Sequence, residues 1–256
     1  MTHRTVLVTG AARGIGLATA KRFLAEGWRA ALLDIDGEPL ARSVAALDAP
    51  ERVLGITCDV ALPDQVEAAA TQVRERFARL DAVVNNAGHA VFKPVLETSL
   101  AEFQRTMDVN LVGPFIVTKA FVPLMQAGGS IVNITSISGL RASALRVAYG
   151  TSKAALAHLT KQLALELSVL GIRVNAVAPG PVDTAMAKAV HSAAIRADYH
   201  DAVPLGRYGL EEEIAEAVYF LSSERASYIT GQILAADGGF DAIGIGLPTF
   251  RKESER

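Results

Sequence analysis

The 256-residue chain is 50% hydrophobic and 20% charged, with 25 Lys and Arg against 27 Asp and Glu for a net charge of −2. That balance excludes nucleic acid or an anionic membrane surface as the main partner. The single cysteine, Cys58, excludes an intrachain disulfide; it reads as a small buried apolar residue in a reducing compartment.

The first expected strand, Thr5–Val8, starts almost at once, with no apolar leader or cleavage site before it. No apolar run reaches the ~18 residues that span a bilayer. The expected location is therefore the cytoplasm. Directly after this strand comes TGAARGIG, with glycines at 10, 14 and 16, and then a helical pattern over Gly14–Glu26 that stops at Gly27. Glycines there allow a sharp turn and remove Cβ atoms where a phosphate must approach, and the free N–H groups of the helix start face the anion. The second expected strand, Arg29–Leu33, ends in Asp34, eighteen residues past Gly16. A carboxylate at that place accepts from both hydroxyls of an adenosine ribose and repels a 2′-phosphate. Arg13, within the glycine loop, points the other way, since a guanidinium there can meet a 2′-phosphate. The carboxylate is given more weight, so NAD is expected and NADP is the alternative.

Further along, strands are expected at Val53–Cys58, Ala82–Val84, Ser130–Ile134, Ile172–Val177 and Gln232–Ala235. Helical patterns separate them at Pro63–Arg79, Ser99–Met125, Ala148–Leu170 and Glu211–Ser222. Ser99 and Glu102 form a capping-box pattern, and Glu211–Glu213 suit the positive end of a helix dipole. Apolar strands alternating with helices predict an α/β, Rossmann-like, doubly wound parallel sheet of about seven strands, covered on both faces, in a single domain over 1–256. Ligands of such a sheet bind at the carboxyl ends of its strands.

Tyr149 and Lys153, in YGTSK, lie one turn apart on the helix pattern that follows the fifth strand. Read alone they are two solvent-facing side chains. A cation beside a tyrosine also favours the phenolate, bringing a group of pKa about 10 toward general-base use. The histidines show no metal-ligand spacing, and no HExxH or CxxC is present, so no metal is expected.

The spacing of Gly10, Gly14 and Gly16, DV at 59–60, NNAG at 85–88, Asn110, Ser136, Tyr149 with Lys153, and PGPVDT at 179–184 together resemble the short-chain dehydrogenase/reductase family, in its compact branch. The resemblance runs from about Thr5 to Gly239. It implies that Tyr149 is the proton-transfer group, Lys153 its cationic partner, Ser136 the donor to the substrate oxygen, and Asn110 a helix-opening residue that holds a water near Lys153. It implies a cofactor site made of Gly10, Arg13, Gly14, Ile15, Gly16, Asp34, Asp59, Val60, Asn86, Ala87, Gly88, Pro179, Gly180, Val182 and Thr184, together with Tyr149 and Lys153. Asp59 would accept from the adenine amino group, and Thr184 would hold the nicotinamide carboxamide.

The same resemblance puts substrate-pocket walls at His89, Val91, Ser138, Leu140, Arg141 and Met186, and over 185–203, a segment that carries His191, Arg196, Tyr199 and His200 and commonly closes as a lid. The tail 240–256, apolar over Ile243–Phe250 and then charged, is expected at a subunit interface, and the family suggests a homotetramer. Three functions follow: an NAD-dependent dehydrogenase of a secondary alcohol, polyol, sugar or hydroxy acid; an NADPH-dependent 3-oxoacyl-carrier-protein reductase; or a nucleotide-sensing protein without turnover.

Overall fold

Seven strands, the inner ones rich in Val, Leu and Ala and buried on both sides, pair as one parallel sheet in the computed structural model, which describes residues 3–243 apart from the side chains of Met186 and Ala189. In chain order the elements begin with β1 (Thr5–Thr9), α1 (Gly14–Ala25), β2 (Arg29–Asp34), α2 (Gly37–Ala46), β3 (Val53–Thr57) and α3 (Pro63–Phe77). Next come β4 (Leu80–Asn85), α4 (Leu100–Met107), α5 (Gly113–Phe121), β5 (Met125–Ile134), α6 (Val147–Leu167) and β6 (Arg173–Pro179). The described chain closes with α7 (Ala185–Val190), α8 (Ala193–Ala202), α9 (Glu211–Ser222) and β7 (Ile233–Ala236).

Strand order is β3-β2-β1-β4-β5-β6-β7. The chain winds outward from β1 in one direction, returns, and winds outward from β4 in the other. The crevice where direction reverses therefore opens between the carboxyl ends of β1 and β4. Alternation along each strand splits the core in two. Val6, Val8, Leu32 and Val84 face Phe23, Ile214 and Val218 of α1 and α9, while Leu7, Leu33 and Val83 face Val73, Val117 and Phe121 of α3 and α5. Phe23 and Phe121 have no exposed surface, and burying one such side chain stabilises the fold by about 1.5–3 kcal/mol.

All seven expected strands are present, and α9 has the expected bounds. The helix expected as one run over 99–125 is instead α4, a π turn over Asp108–Val112, α5 and a 3-10 turn, and β5 already begins at Met125. Ser99 does cap α4, accepting from Glu102 N at 3.2 Å while Glu102 Oε2 accepts from Ser99 N at 2.9 Å. The composite stretch Leu100–Leu124 contains an 18-residue window of mean hydropathy 1.3 and so is long and apolar enough to cross a membrane by length and composition alone. Glu102, Arg105, Asp108, Asn110 and Lys119 interrupt it, however, and it holds no unbroken apolar run of that length. Its Val109, Val117, Phe121 and Leu124 lie in the protein core. Three helices went unpredicted: α2, whose pattern is short, and α7 and α8, which divide the expected lid segment. The tail from 244 onward lies outside the described residues.

Candidate active site

The glycine loop is built against the end of β4. Asn86 Nδ2 donates to Thr9 O at 2.9 Å and to Gly10 O at 3.0 Å, and Thr9 Oγ1 accepts from the N–H groups of Asn86 and Ala87. This lacing leaves no room for side chains: a Cβ on Gly16 would lie 2.2 Å from Gly10 O, and one on Gly10 (φ +63°) would lie 2.8 Å from Ala87 Cα. No side chain caps α1 and no acidic residue sits in its first turn, so its leading N–H groups, from Gly14, Ile15 and Gly16, suit an anion. Asp34, at the tip of β2, accepts from Ala12 N at 2.9 Å and from Asp36 N at 3.0 Å, which fixes its carboxylate beside the loop. Arg13 pairs with Asp36 rather than pointing into the loop. Asp59 pairs with Arg105 at 2.7 Å and accepts from Ala61 N at 3.0 Å, with Val60 buried beside it. On the opposite side, Pro179 ends β6, and a Cβ on Gly180 would lie 2.7 Å from Asp237 Cα. Buried Val182 bridges Gly209, while Thr184 Oγ1 accepts from Ala187 N at 3.1 Å and keeps its own proton to donate. These donors and gaps fit a dinucleotide lying across the switch point.

Asn110, Ser136, Tyr149 and Lys153 converge beneath that crevice. The 3-10 turn after β5 presses on α6 so closely that a Cβ on Gly139 would sit 2.6 Å from the Lys153 carbonyl carbon. Ser136, at the start of that turn, accepts from Ser138 N at 3.1 Å through its Oγ and lies near enough to Tyr149 to pull its phenol down. Lys153 Nζ donates to Ile134 O at 2.7 Å and lies 5.7 Å from the Tyr149 ring centroid. Burial lowers the Lys153 ammonium from 10.5 to about 8. Burial also pushes the half-buried Tyr149 phenol up, against opposing pulls from the Ser136 hydrogen bond and the Arg146 charge. The expected downward tuning by Lys153 is therefore not the dominant influence on Tyr149 in the protein alone.

Asn110 sits within the π turn, where Gly113 N donates to Asp108 O five residues back. Its Oδ1 accepts from His89 N at 2.7 Å, and its Nδ2 donates to His89 O at 2.8 Å and Ser152 Oγ at 2.9 Å. Asn110 and Lys153 flank Gly88, whose Cβ would lie 3.6 Å from Asn110 Oδ1 and 3.7 Å from Lys153 Nζ.

With this geometry in hand, a family model described as enoyl-(acyl carrier protein) reductase matches residues 10–241. The chain belongs to the short-chain dehydrogenase/reductase family. It is 39% identical to 2-(S)-hydroxypropyl-CoM dehydrogenase 3 of Xanthobacter autotrophicus, covering 94% of this chain and 98% of that one. It is also 39% identical to cis-4-hydroxycyclohexanecarboxylate dehydrogenase of Sinomonas cyclohexanicum, over 94% and 98%, and 38% identical to the 3-oxoacyl-[acyl-carrier-protein] reductase FabG of Thermotoga maritima, over 92% and 97%. An uncharacterized short-chain type dehydrogenase/reductase of Sinorhizobium fredii is 40% identical, and the chain spans 44% of its length. Among solved structures, the glucose/ribitol dehydrogenase of this family from Brucella melitensis superposes with a TM-score of 0.89 at 35% identity, over 93% of this chain and 96% of that chain.

Other family positions fall less simply. The His89 ring faces Thr106 Oγ1 at 3.1 Å. Ser138 is buried and bonds Ser143 Oγ at 3.1 Å, while Leu140 is exposed. Arg141 does not turn to the crevice: it pairs with Asp241 at 2.9 Å and donates to Ile243 O at 3.0 Å, clasping the start of the tail. The Met186 side chain lies outside the described residues, on α7. Two groups escaped the sequence. Arg146, three residues before Tyr149, carried no spacing signal. The buried chain Asn85 Nδ2–Asn133 Oδ1 and Asn133 Nδ2–Thr160 Oγ1, each 2.9 Å, pins α6 to β4 and β5 two turns beyond Lys153. Among the described residues no cluster suited to a metal exists.

Proposed function

We propose that this member of the family is an NAD-dependent dehydrogenase of a secondary alcohol, with Tyr149 as the proton-transfer group. The observation that carries the proposal is buried Lys153 held 5.7 Å from the Tyr149 ring by its bond to Ile134 O, with Ser136 close by, beside an anion-ready glycine loop. When bound, the nicotinamide supplies the hydride acceptor or donor. Gly10, Gly14, Ile15 and Gly16 with the first turn of α1 would hold its pyrophosphate, and Arg13 borders that loop. Asp34 would take the adenosine ribose, and Asp59 and Val60 the adenine. Asn86, Ala87, Gly88, Pro179, Gly180, Val182 and Thr184 would line the nicotinamide half. Tyr149 accepts the alcohol proton during oxidation, or gives one to a ketone oxygen in reverse. Ser136 stabilises the charge that develops on that oxygen. Lys153 passes the proton onward, through a water held near Asn110.

Asp34 supports NAD over NADP, because a 2′-phosphate would meet its carboxylate, and Arg13 is neutralised by Asp36. The relatives named 3-oxoacyl-carrier-protein reductases support the NADPH-dependent alternative. Homo-oligomerisation is supported by apolar side chains left in water on two helices: Leu165 (72% exposed) and Val169 (84%) on and just beyond α6, and Phe115 on α5. A cytoplasmic setting is supported by the lone cysteine, Cys58, which has no second cysteine in this sequence to form an intrachain disulfide. The test is a panel of secondary alcohols, polyols, sugars and hydroxy acids followed by NADH absorbance, with NAD and NADP in parallel. Turnover with NAD supports the proposal; a clear NADP preference would shift it to the reductase.

A further inference from the structure

A second polar cluster, beside the proton-transfer groups, has no part in the chemistry above. Arg146 caps α6 three residues before Tyr149. Its Nη2 donates to Tyr199 Oη at 3.2 Å, its Nη1 to Ser138 Oγ at 3.4 Å, and its guanidinium carbon lies 4.9 Å from the Phe92 ring centroid. All three partners are neutral, and among the described residues no carboxylate pairs with this half-buried cation.

The α7–α8 segment closes the cluster from the far side. His191 stacks on Tyr199 with ring centroids 5.2 Å apart, and its Nδ1 bonds Tyr208 Oη at 3.0 Å. Arg196 lies 4.3 Å from the Tyr208 centroid, pairs with Asp183 at 2.8 Å, and keeps a buried Nη1 without a hydrogen-bond partner. Burial and then the charges of Arg146 and Arg196 hold His191 below the usual imidazole range. The cluster thus combines one guanidinium without a carboxylate partner among the described residues, one with a spare buried donor, and the flanking rings of Phe92, Tyr199 and Tyr208. A buried donor such as Arg196 Nη1 is costly to leave unmet, and a lone guanidinium such as Arg146 lacks the charge partner it binds best.

Ser138 links this cluster to the chemistry. Its N–H donates to Ser136 Oγ at 3.1 Å while its Oγ accepts from Arg146. We propose that Arg146, with Arg196, His191 and Tyr199 around it, recognises an oxyanion on the substrate, so that the alcohol presented to Tyr149 carries a carboxylate or similar acid group a short chain from its carbinol carbon. The proposal rests on the dehydrogenase reading and narrows its substrate class to hydroxy acids. A guanidinium fork is the group best shaped to grip such an oxyanion.

The test compares kcat/KM, with NAD-loaded enzyme, for hydroxyalkanoates of increasing chain length and for matching sulfonates and phosphate monoesters, each beside its neutral methyl ester or amide. The best acid should exceed its neutral twin by roughly 10- to 100-fold, the worth of a charge-assisted contact. Arg146→Gln should abolish most of that ratio through KM, and Arg146→Lys should keep part of it. A ratio near unity in the native enzyme, or one untouched by Arg146→Gln, overturns the proposal. Calorimetric binding of alkanoates that lack the hydroxyl separates this idea from the reading beneath it. Arg146-dependent binding upholds the anion site even if no alcohol is oxidised, a result that would sink the dehydrogenase assignment alone. Absence of such binding sinks the anion site.

Discussion

Replacing Lys153 by Met should make the stability of the cofactor-free protein respond differently to pH. In the fold, burial lowers the ammonium from 10.5 to about 8, and among the described residues its Nζ bonds one acceptor, Ile134 O at 2.7 Å. Between those two values the unfolded chain binds the proton that the folded one has released, so stability rises with pH across that window. Below about pH 8 both states are protonated, and the fold carries the whole cost of the buried charge. At about 1.4 kcal/mol per tenfold change in proton affinity, that cost is ~3 kcal/mol. Urea unfolding of both proteins from pH 7 to 10.5 reads it directly, because groups common to both cancel in the difference. The native protein should gain on Lys153→Met by ~3 kcal/mol as pH rises through the window. A difference that stays flat with pH would show that Lys153 is not held below its ordinary range, and would refute the burial argument.

Gly16→Ala places a methyl 2.2 Å from Gly10 O and 2.6 Å from Asn86 Nδ2, so the loop must shift. A cost of about 1–3 kcal/mol in urea unfolding is expected, together with weakened NAD binding by calorimetry. Asp34→Ala removes the carboxylate that accepts from Ala12 N and Asp36 N. Its kcat/KM with NAD should fall by roughly 10- to 100-fold while the NADP value rises, and an unchanged ratio would contradict the role given to Asp34. Leu165→Glu, on the exposed face of α6, should lower the mass seen by light scattering if that face joins subunits; an unchanged mass would count against it.

Strands were legible because burial on both faces of the central ones leaves continuous apolar runs, as in Ala30–Leu33 and Ala82–Val84. The π turn at Asp108–Val112 carried no periodic signal, since DVNLV reads as plain helix. Only the family resemblance, which makes Asn110 a helix-opening residue, pointed to it, and contacts of Asn110 with His89 and Ser152 absorb the extra residue. The loop glycines could be read from spacing, because close backbone approach admits no other residue. Arg141 and Arg146 could not be told apart: both are arginines before the same helix, and tertiary placement alone gives one to Asp241 and the other to Tyr199. The rise in the Tyr149 phenol was equally hidden, because burial is a property of the fold and not of the neighbours in YGTSK.

The most direct measurement is Tyr149→Phe, assayed for NAD affinity by calorimetry and for alcohol oxidation by NADH absorbance. Removing one hydroxyl leaves Lys153, the glycine loop and Asp34 in place, so cofactor affinity should stay within a few-fold. Turnover should fall by roughly 100- to 10,000-fold, the range for losing a proton-transfer group. Retained turnover in that variant would contradict the assignment of Tyr149 and, with it, the account of how this site works.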